Sequence, residues 1–366
     1  MKKILLISKE WNPKRATGLG FASSTHEIIF KELGFVVTTV SSDDSSKDIN
    51  FELKNLLSFI LNPFYFLRKA EFIIKESKPD LIIVESFQTV ISEIFLYVSK
   101  NNFIKTAVIS HGVSIFPYNK KIKYYFRFFL WIIYLPILSY LIKKCEIFFS
   151  LDLNSKNHRH LDTLLFKREN KTLIKYNNFS RFENYKKIIT ESKNKKKKVL
   201  CLGYINHIKN QIDLIEIAKE TSDLDIEIRI VFKDYNTNYL NTLRQKIDIA
   251  GVKNISIINE SETNIYREIS ESWLLISTSI TEVSPLSLIE GNSLSKMFLS
   301  YDVGSLDKFK GSIINKNKNQ IIFNMRSLYN NSFFINKFES IALEDYKTNY
   351  SIDALKKSFN KIRYLF

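Results

Sequence analysis

Glu282 and Glu290 stand eight residues apart, on either side of Pro285, in the stretch STSITEVSPLSLIE from Ser277 to Glu290. The stretch opens at the end of an apolar, strand-like run. A polar loop carries Glu282 and Ser284, and a helical pattern follows Pro285. Proline is favoured where a helix begins. The amides of Leu286 and Ser287 then point outward at the positive end of the helix dipole, a ready site for a diphosphate. Two carboxylates placed in this way can accept hydrogen bonds from hydroxyls at the two ends of a nucleotide sugar. The spacing alone decides nothing, because a chain with 38 acidic residues holds many such pairs. A capping loop followed by a solvated helix acid would look the same. The strand–loop–proline–helix context carries the reading.

The elements that must position these residues form a repeating pattern. In the first half, strand-like runs are expected at Ile4–Ser8, Phe35–Val40, Leu81–Glu85, Thr106–Ser110 and Ile147–Leu151. Helical patterns lie between them at Phe21–Leu33, with Gly34 as a cap, at Leu53–Glu76, interrupted near Pro63, and at Val90–Lys100. The second half repeats the alternation from Lys198 to Tyr301, and Asp353–Phe366 looks like a last amphipathic helix. Short, continuous apolar runs separated by helices indicate parallel strands buried on both faces. The expected fold class is α/β, with two Rossmann-like doubly wound domains facing a cleft, where ligands bind beyond the carboxyl ends of the strands. The expected boundaries are 1–180 and 181–345, with a terminal helix over 346–366 packing back on the first domain. The polar, lysine-rich stretch from Phe166 to Lys198 reads as the join.

A chain of 366 residues suits two ordinary cores, and at 45% hydrophobic and 14% aromatic it can fill them. The net charge of +16 admits three partners: nucleic acid, an anionic membrane surface or a phosphorylated substrate. A merely solvated, lysine-rich surface would carry the same charge. Nucleic acid ranks last and is not expected as a partner, because no zinc-finger spacing, RNP-like pattern or basic zipper occurs. The two cysteines, Cys145 and Cys201, sit beside apolar runs and read as core residues in a reducing compartment. The N-terminal MKKILLISKEW has too short an apolar run for a signal peptide, so a cytoplasmic location is expected. Phe128–Ile142 is strongly apolar, lies between basic residues and is interrupted by Pro136. It is shorter than the roughly 20 residues needed to span a bilayer. It fits a buried helix or one lying in the interface of an anionic inner leaflet. Other chemistries find no support. Asp223–Leu224–Asp225 precedes a strand and reads as a turn, and His158 and His160 lack metal-ligand companions. Neither a Gly-x-Ser-x-Gly elbow nor a Walker lysine loop is present.

The segment TSITEVSPLSLIEGNSLSKMFLSYDVGS resembles the Glu-x7-Glu donor motif of the GT-B glycosyltransferases of family 4, also called group 1. The resemblance implies that Glu282 contacts the donor sugar, that Ser284, Pro285, Leu286 and Ser287 line sugar and phosphate, and that Glu290 takes the ribose hydroxyls. Lys198–Glu220 is similar to the strand–Gly–loop–Lys segment that opens the second domain of that family. Gly203 ends its strand, and Lys209 would neutralise the leaving diphosphate. Tyr204 stands where the family usually has arginine, and Val283 where it has glycine. Gly18 and Gly20, after the first strand, resemble the family's glycine loop, though a simple turn would also use them. His111 ends a buried strand where the family often carries a histidine facing a sugar; a structural histidine fits equally well. The resemblance implies a retaining, hexosyltransferase-type enzyme that takes a nucleotide-diphosphate sugar as donor and uses no cofactor or metal. With the basic surface and the Phe128–Ile142 helix, it points to a glycan or lipid-linked acceptor in surface polysaccharide synthesis, such as lipopolysaccharide or capsule. Three alternatives stay open: a GT-B sugar-nucleotide epimerase, a non-catalytic nucleotide-sugar-binding subunit and a membrane-surface adaptor.

Overall fold

The computed structural model describes residues 1–11, 18–42, 47–53, 55–112, 134–151, 161–183, 196–304 and 306–366. The chain divides into two compact units, one formed by Met1–Tyr176 with Lys356–Phe366 and the other by Asn177–Leu355.

The first unit is built on seven parallel strands: β1 Lys3–Ser8, β2 Val36–Ser41, β3 Ile49–Asn50, β4 Leu81–Glu85, β5 Lys105–Ser110, β6 Ile147–Ser150 and β7 Thr172–Lys175. Their order is β3-β2-β1-β4-β5-β6-β7, so the sheet winds outward in two directions from the gap between β1 and β4. Strand β4, LIIVE, is buried at all five positions, which is why it reads as a continuous apolar run closed by an acid. Helices α1 Gly18–Glu32, α2 Leu56–Leu61, α3 Pro63–Ser77, α4 Ile91–Asn101 and α5 Leu161–Lys167 connect the strands, and residues 134–142 are also helical. Pro63 begins α3 rather than kinking one long helix. Thr172–Lys175, inside the stretch expected to be a polar join, is instead the edge strand β7.

The second unit has six parallel strands in the order β10-β9-β8-β11-β12-β13. They are β8 Lys197–Leu202, β9 Ile226–Phe232, β10 Ile255–Asn259, β11 Leu274–Ser277, β12 Phe298–Tyr301 and β13 Ser312–Asn315. Its helices are α6 Asp213–Glu220, α7 Thr237–Ala250, α8 Ile265–Glu271, α9 Leu286–Ser293, α10 Lys318–Tyr329 and α11 Ser332–Asn349. Gly251, in the left-handed region at φ +62°, closes α7. The two-way winding again leaves a switch point, here between β8 and β11, where open α/β sheets bind ligands beyond the strand ends.

The last helix, α12 Ile352–Asn360, carries Phe359, which stacks on Phe30 of α1 at 5.0 Å between ring centroids. Lys356 pairs with Glu32 at 2.7 Å, so residues 356–366 complete the first unit.

Candidate functional site

In the second unit, the loops that follow β8 and β11 meet at the switch point. Strand β8 ends at Leu202, and Gly203 turns the chain at φ +139°, a conformation side-chain-bearing residues rarely adopt. The Asn206 side chain accepts from the amides of Ile208 and Lys209, both at 2.9 Å, and shapes the loop that presents Lys209. From the other side, Thr278 donates to the carbonyl of Asn210 at 3.0 Å, and the amide of Ile280 donates to the carbonyl of Ile208 at 2.9 Å. The loops are thus bound together through backbone. Lys209 Nζ reaches Glu282 Oε1 at 2.5 Å across the join. Gly304 lies beneath Glu282: at φ +61°, a Cβ on it would come within 1.8 Å of the Glu282 carbonyl oxygen. Only glycine lets the chain pass there.

Pro285 is the N-cap of α9, and no side chain caps that helix among the described residues. The Pro285 carbonyl accepts from Leu288 and Ile289, leaving the amides of Leu286 and Ser287 ahead of the first helical hydrogen bonds. Ser284 is fixed by Asn178, which donates to its carbonyl at 3.0 Å. Glu290, further along α9, is almost fully buried, and Arg181 reaches it with Nε–Oε1 at 2.7 Å. Burial pushes the Glu290 carboxyl up to about 7, although Arg181 draws it down. Arg181 also lies 3.8 Å from Glu260 and over the Phe182 ring at 5.0 Å. Tyr204 is exposed, with its carbonyl held by Gln211 at 2.9 Å.

The first unit gathers a second cluster beside its own switch point. Glu85, at the end of β4, is fully buried between two imidazoles, with His26 Nδ1 on Oε1 at 2.7 Å and His111 Nε2 on Oε2 at 2.7 Å. Burial raises the Glu85 carboxyl, but the two imidazoles outweigh it and hold it at about 2. Tyr176 donates to the carbonyl of Ser110 at 3.0 Å, and its ring stands edge-on to His111 at 6.3 Å. One ligand-type atom from each of His26, Glu85 and His111 lies within 4.8 Å of the others, a spacing that could also hold a cation. Gly18 and Gly20 form the first turn of α1 rather than a loop ahead of it.

The structure therefore brings together Gly203, Lys209 and Glu282, with Ser284, Pro285, Leu286, Ser287 and Glu290 following along the same loop and helix. Sequence reasoning missed Glu85, His26 and Arg181. The acid that closes the apolar run LIIVE was a signal for Glu85; Arg181 lies 109 residues from its partner and gave none. Of the apolar stretch Phe128–Ile142, residues 128–133 lie outside the described residues. The remainder is helical, with Leu138, Leu141 and Ile142 buried. No helix among the described residues is long and apolar enough to cross a membrane.

Residues 182–327, which include the Glu282–Glu290 segment, match the family described as Glycosyl transferases group 1. No curated protein sequence matches the chain. Solved structures similar along the whole chain include a glycosyltransferase from Rickettsia africae, with TM-score 0.71 and 18% identity over 99% of this chain and 97% of that one. Another is Anabaena HepE in complex with UDP-glucose, with TM-score 0.72 and 12% identity over 100% of both chains. A third is the lipopolysaccharide outer core galactosyltransferase WaaB, with TM-score 0.65 and 14% identity over 99% of both chains. Identities this low speak for the fold, and the two parallel sheets are those of GT-B proteins. The chain thus has the GT-B fold, and its residues 182–327 match the family of glycosyl transferases group 1.

Proposed function

We propose that the protein transfers a sugar, with retention at the anomeric carbon, from a nucleotide-diphosphate sugar to a lipid-linked glycan acceptor in surface polysaccharide synthesis. The observation that carries this reading is the Lys209–Glu282 pair at 2.5 Å, beside the uncapped start of α9. In the free protein these charges neutralise each other. When the donor enters, Lys209 turns to the diphosphate, where charge grows as the glycosidic bond breaks. The amides of Leu286 and Ser287 take phosphate oxygens. Glu282, released, accepts from the sugar hydroxyls, and Glu290 accepts from the ribose diol. His111 is assigned to a sugar bound at the first unit; its Nε2 is committed to Glu85, which leaves Nδ1 for substrate. Leaving-group charge is met by Lys209 and helix amides, so no metal is required, and EDTA should leave turnover unchanged. Two similar structures are described with a UDP-sugar ligand or with a lipopolysaccharide galactosyl transfer, which makes UDP-hexoses the first donors to try.

The deciding experiment is calorimetry with UDP and UDP-hexoses on wild type, Lys209→Ala and Glu290→Ala, followed by donor turnover. Each variant should lose at least about tenfold in nucleotide affinity or turnover, the loss of one charge-assisted contact, while its melting curve stays cooperative. Wild-type behaviour in both would sink the site assignment. Binding without turnover, even with acceptor lipid, would favour the non-catalytic subunit. Release of an epimerised donor without acceptor would favour the epimerase.

A further inference from the structure

The charge of this protein is unevenly placed. Residues 1–176 and 356–366 carry 30 Lys and Arg against 16 Asp and Glu, a net charge of +14, whereas residues 177–355 carry 24 against 22. The unit that holds nearly all of the excess also has an unusual outer face. Helix α2, LLSFIL, has no buried residue, although five of its six residues are apolar. Helix α3 meets the core through Phe66, Ala70, Ile73 and Ile74. Its opposite face, where a surface helix normally places polar groups, presents Phe64, Arg68, Phe72 and Lys75 at helical spacing. Leu56, Leu57, Ile60, Leu61, Phe64 and Phe72 are each between 56% and 77% exposed. Apolar side chains scattered singly on a surface need no account, but a contiguous group of this kind does.

We infer that α2 and the outer face of α3 form a membrane-docking surface, whose occupant is the interface of an anionic phospholipid bilayer. Leu56, Leu57, Ile60, Leu61 and Phe64 enter the acyl boundary, Arg68 stays at headgroup level beside Lys75, which is paired with Glu71 at 3.0 Å, and the +14 unit supplies the long-range attraction. The surface deepens the lipid-linked acceptor reading by naming where the protein meets the bilayer. It rests on that reading for its purpose but not for its test. It is also distinct from the Phe128–Ile142 stretch, whose described part turns Leu138, Leu141 and Ile142 inward.

The test is flotation of the full chain, without donor, with vesicles of phosphatidylcholine alone or of an equimolar mixture with phosphatidylglycerol. Binding should require phosphatidylglycerol and weaken with added salt. The variant Leu57→Glu/Leu61→Glu/Phe64→Glu should lose more than about tenfold of the partitioning, since burial of one such side chain is worth at least that much. Phe333→Glu, an equally exposed apolar position in the second unit, should bind as wild type. All replaced side chains are exposed, so both variants should melt as wild type does. Undiminished vesicle binding by the triple variant would overturn the proposal. So would a wild-type dimer that the triple variant converts to monomer with no change in vesicle binding, because the face would then join two copies of this chain. Either result would leave nucleotide binding at Lys209 and Glu290 untouched, so the donor-site reading stands or falls separately.

Discussion

Glu85 in the first unit and Glu290 in the second are both withdrawn from water, yet their carboxyls are driven in opposite directions. Glu85 is held at about 2 between two imidazoles that are themselves largely enclosed. Glu290 is pushed to about 7, because burial outweighs a single guanidinium that is partly in solvent. Lys209, the partner of Glu282 in the same unit, is also partly open, whereas Glu282 is as enclosed as His111. The first cluster is therefore an enclosed arrangement that fixes the orientation of His111, although the buried His26 Nε2 meets no partner among the described residues. The second is a pair of provisional contacts, each with one partner able to move toward a ligand. A ligand that exchanges for Lys209 and Arg181 finds charges already assembled and only partly satisfied.

The largest expected effect falls on the first cluster. Glu85→Ala leaves two imidazoles facing an empty buried position and should cost about 3–5 kcal/mol, the loss expected when one member of a buried charged group is removed. Urea denaturation would measure it. Lys209→Ala should cost less, about 1 kcal/mol, because Lys209 keeps part of its hydration in the pair with Glu282. Equal losses would erase the distinction between the two clusters.

The two glutamates should also leave opposite marks on stability against pH. Glu85 has a folded value below the ordinary 4.5, so the folded state binds fewer protons than the unfolded one between about 2 and 4.5. Stability from Glu85 is present above 4.5 and lost as pH falls toward 2. Glu290 has a folded value above 4.5, so the folded state binds more protons between 4.5 and about 7. Its burial is least costly below 4.5, and stability declines as pH rises through 7. A displacement of either size corresponds to about 3 kcal/mol. Denaturant midpoints measured from pH 4 to 8 should therefore fall less in Glu290→Gln than in wild type. With Glu290 on the ribose diol, as proposed, nucleotide affinity should rise over the same range in wild type alone, because an ionised carboxylate is the better acceptor. A parallel fall in both proteins would remove Glu290 as the titrating group.

A third effect tests how the second cluster is supported. Gly304→Ala places a methyl group where the Glu282 carbonyl now lies. Overpacking of this kind costs about 1–3 kcal/mol. The displaced loop should weaken UDP binding more than Ala substitution at exposed Tyr204 does. If Gly304→Ala binds UDP as wild type, the position of the Glu282 loop does not matter to the donor.

The difference between the clusters also explains what could be read from the sequence. Leu81–Glu85, buried on both faces, shows as an apolar run closed by one acid, and Ile226–Phe232 shows by alternation, with half-buried Glu227 and Arg229 between buried residues; the structure has both at those bounds. Ile49–Asn50, Thr172–Lys175 and Ser312–Asn315 are short, carry polar residues and did not show as strands. The second cluster was legible where it is local, since strand, loop, Pro285 and helix run consecutively from Leu274 to Ser293. The first was not, because His26 and Glu85 are 59 residues apart and meet only once the sheet is wound. Arg181 belongs to the same class: no spacing rule links it to Glu290.

Arg181 gives the smallest and most discriminating effect. As the guanidinium that draws the Glu290 carboxyl down, its removal should move that carboxyl further up and shift the pH dependence of nucleotide binding to higher pH. Because Arg181 is partly exposed, Arg181→Ala should change stability by no more than about 1 kcal/mol. Two outcomes for affinity are informative at pH 8 and above, where Glu290 is largely ionised in wild type. If Arg181 only blocks the carboxylate, affinity for UDP rises once Glu290 ionises in the variant. If Arg181 swings from Glu290 to a phosphate or base of the donor, affinity falls at every pH. A variant with an unchanged pH profile and unchanged affinity would mean that the contact with Glu290 is incidental, and the contrast between an enclosed cluster and a provisional one would then rest on Lys209 and Glu282 alone.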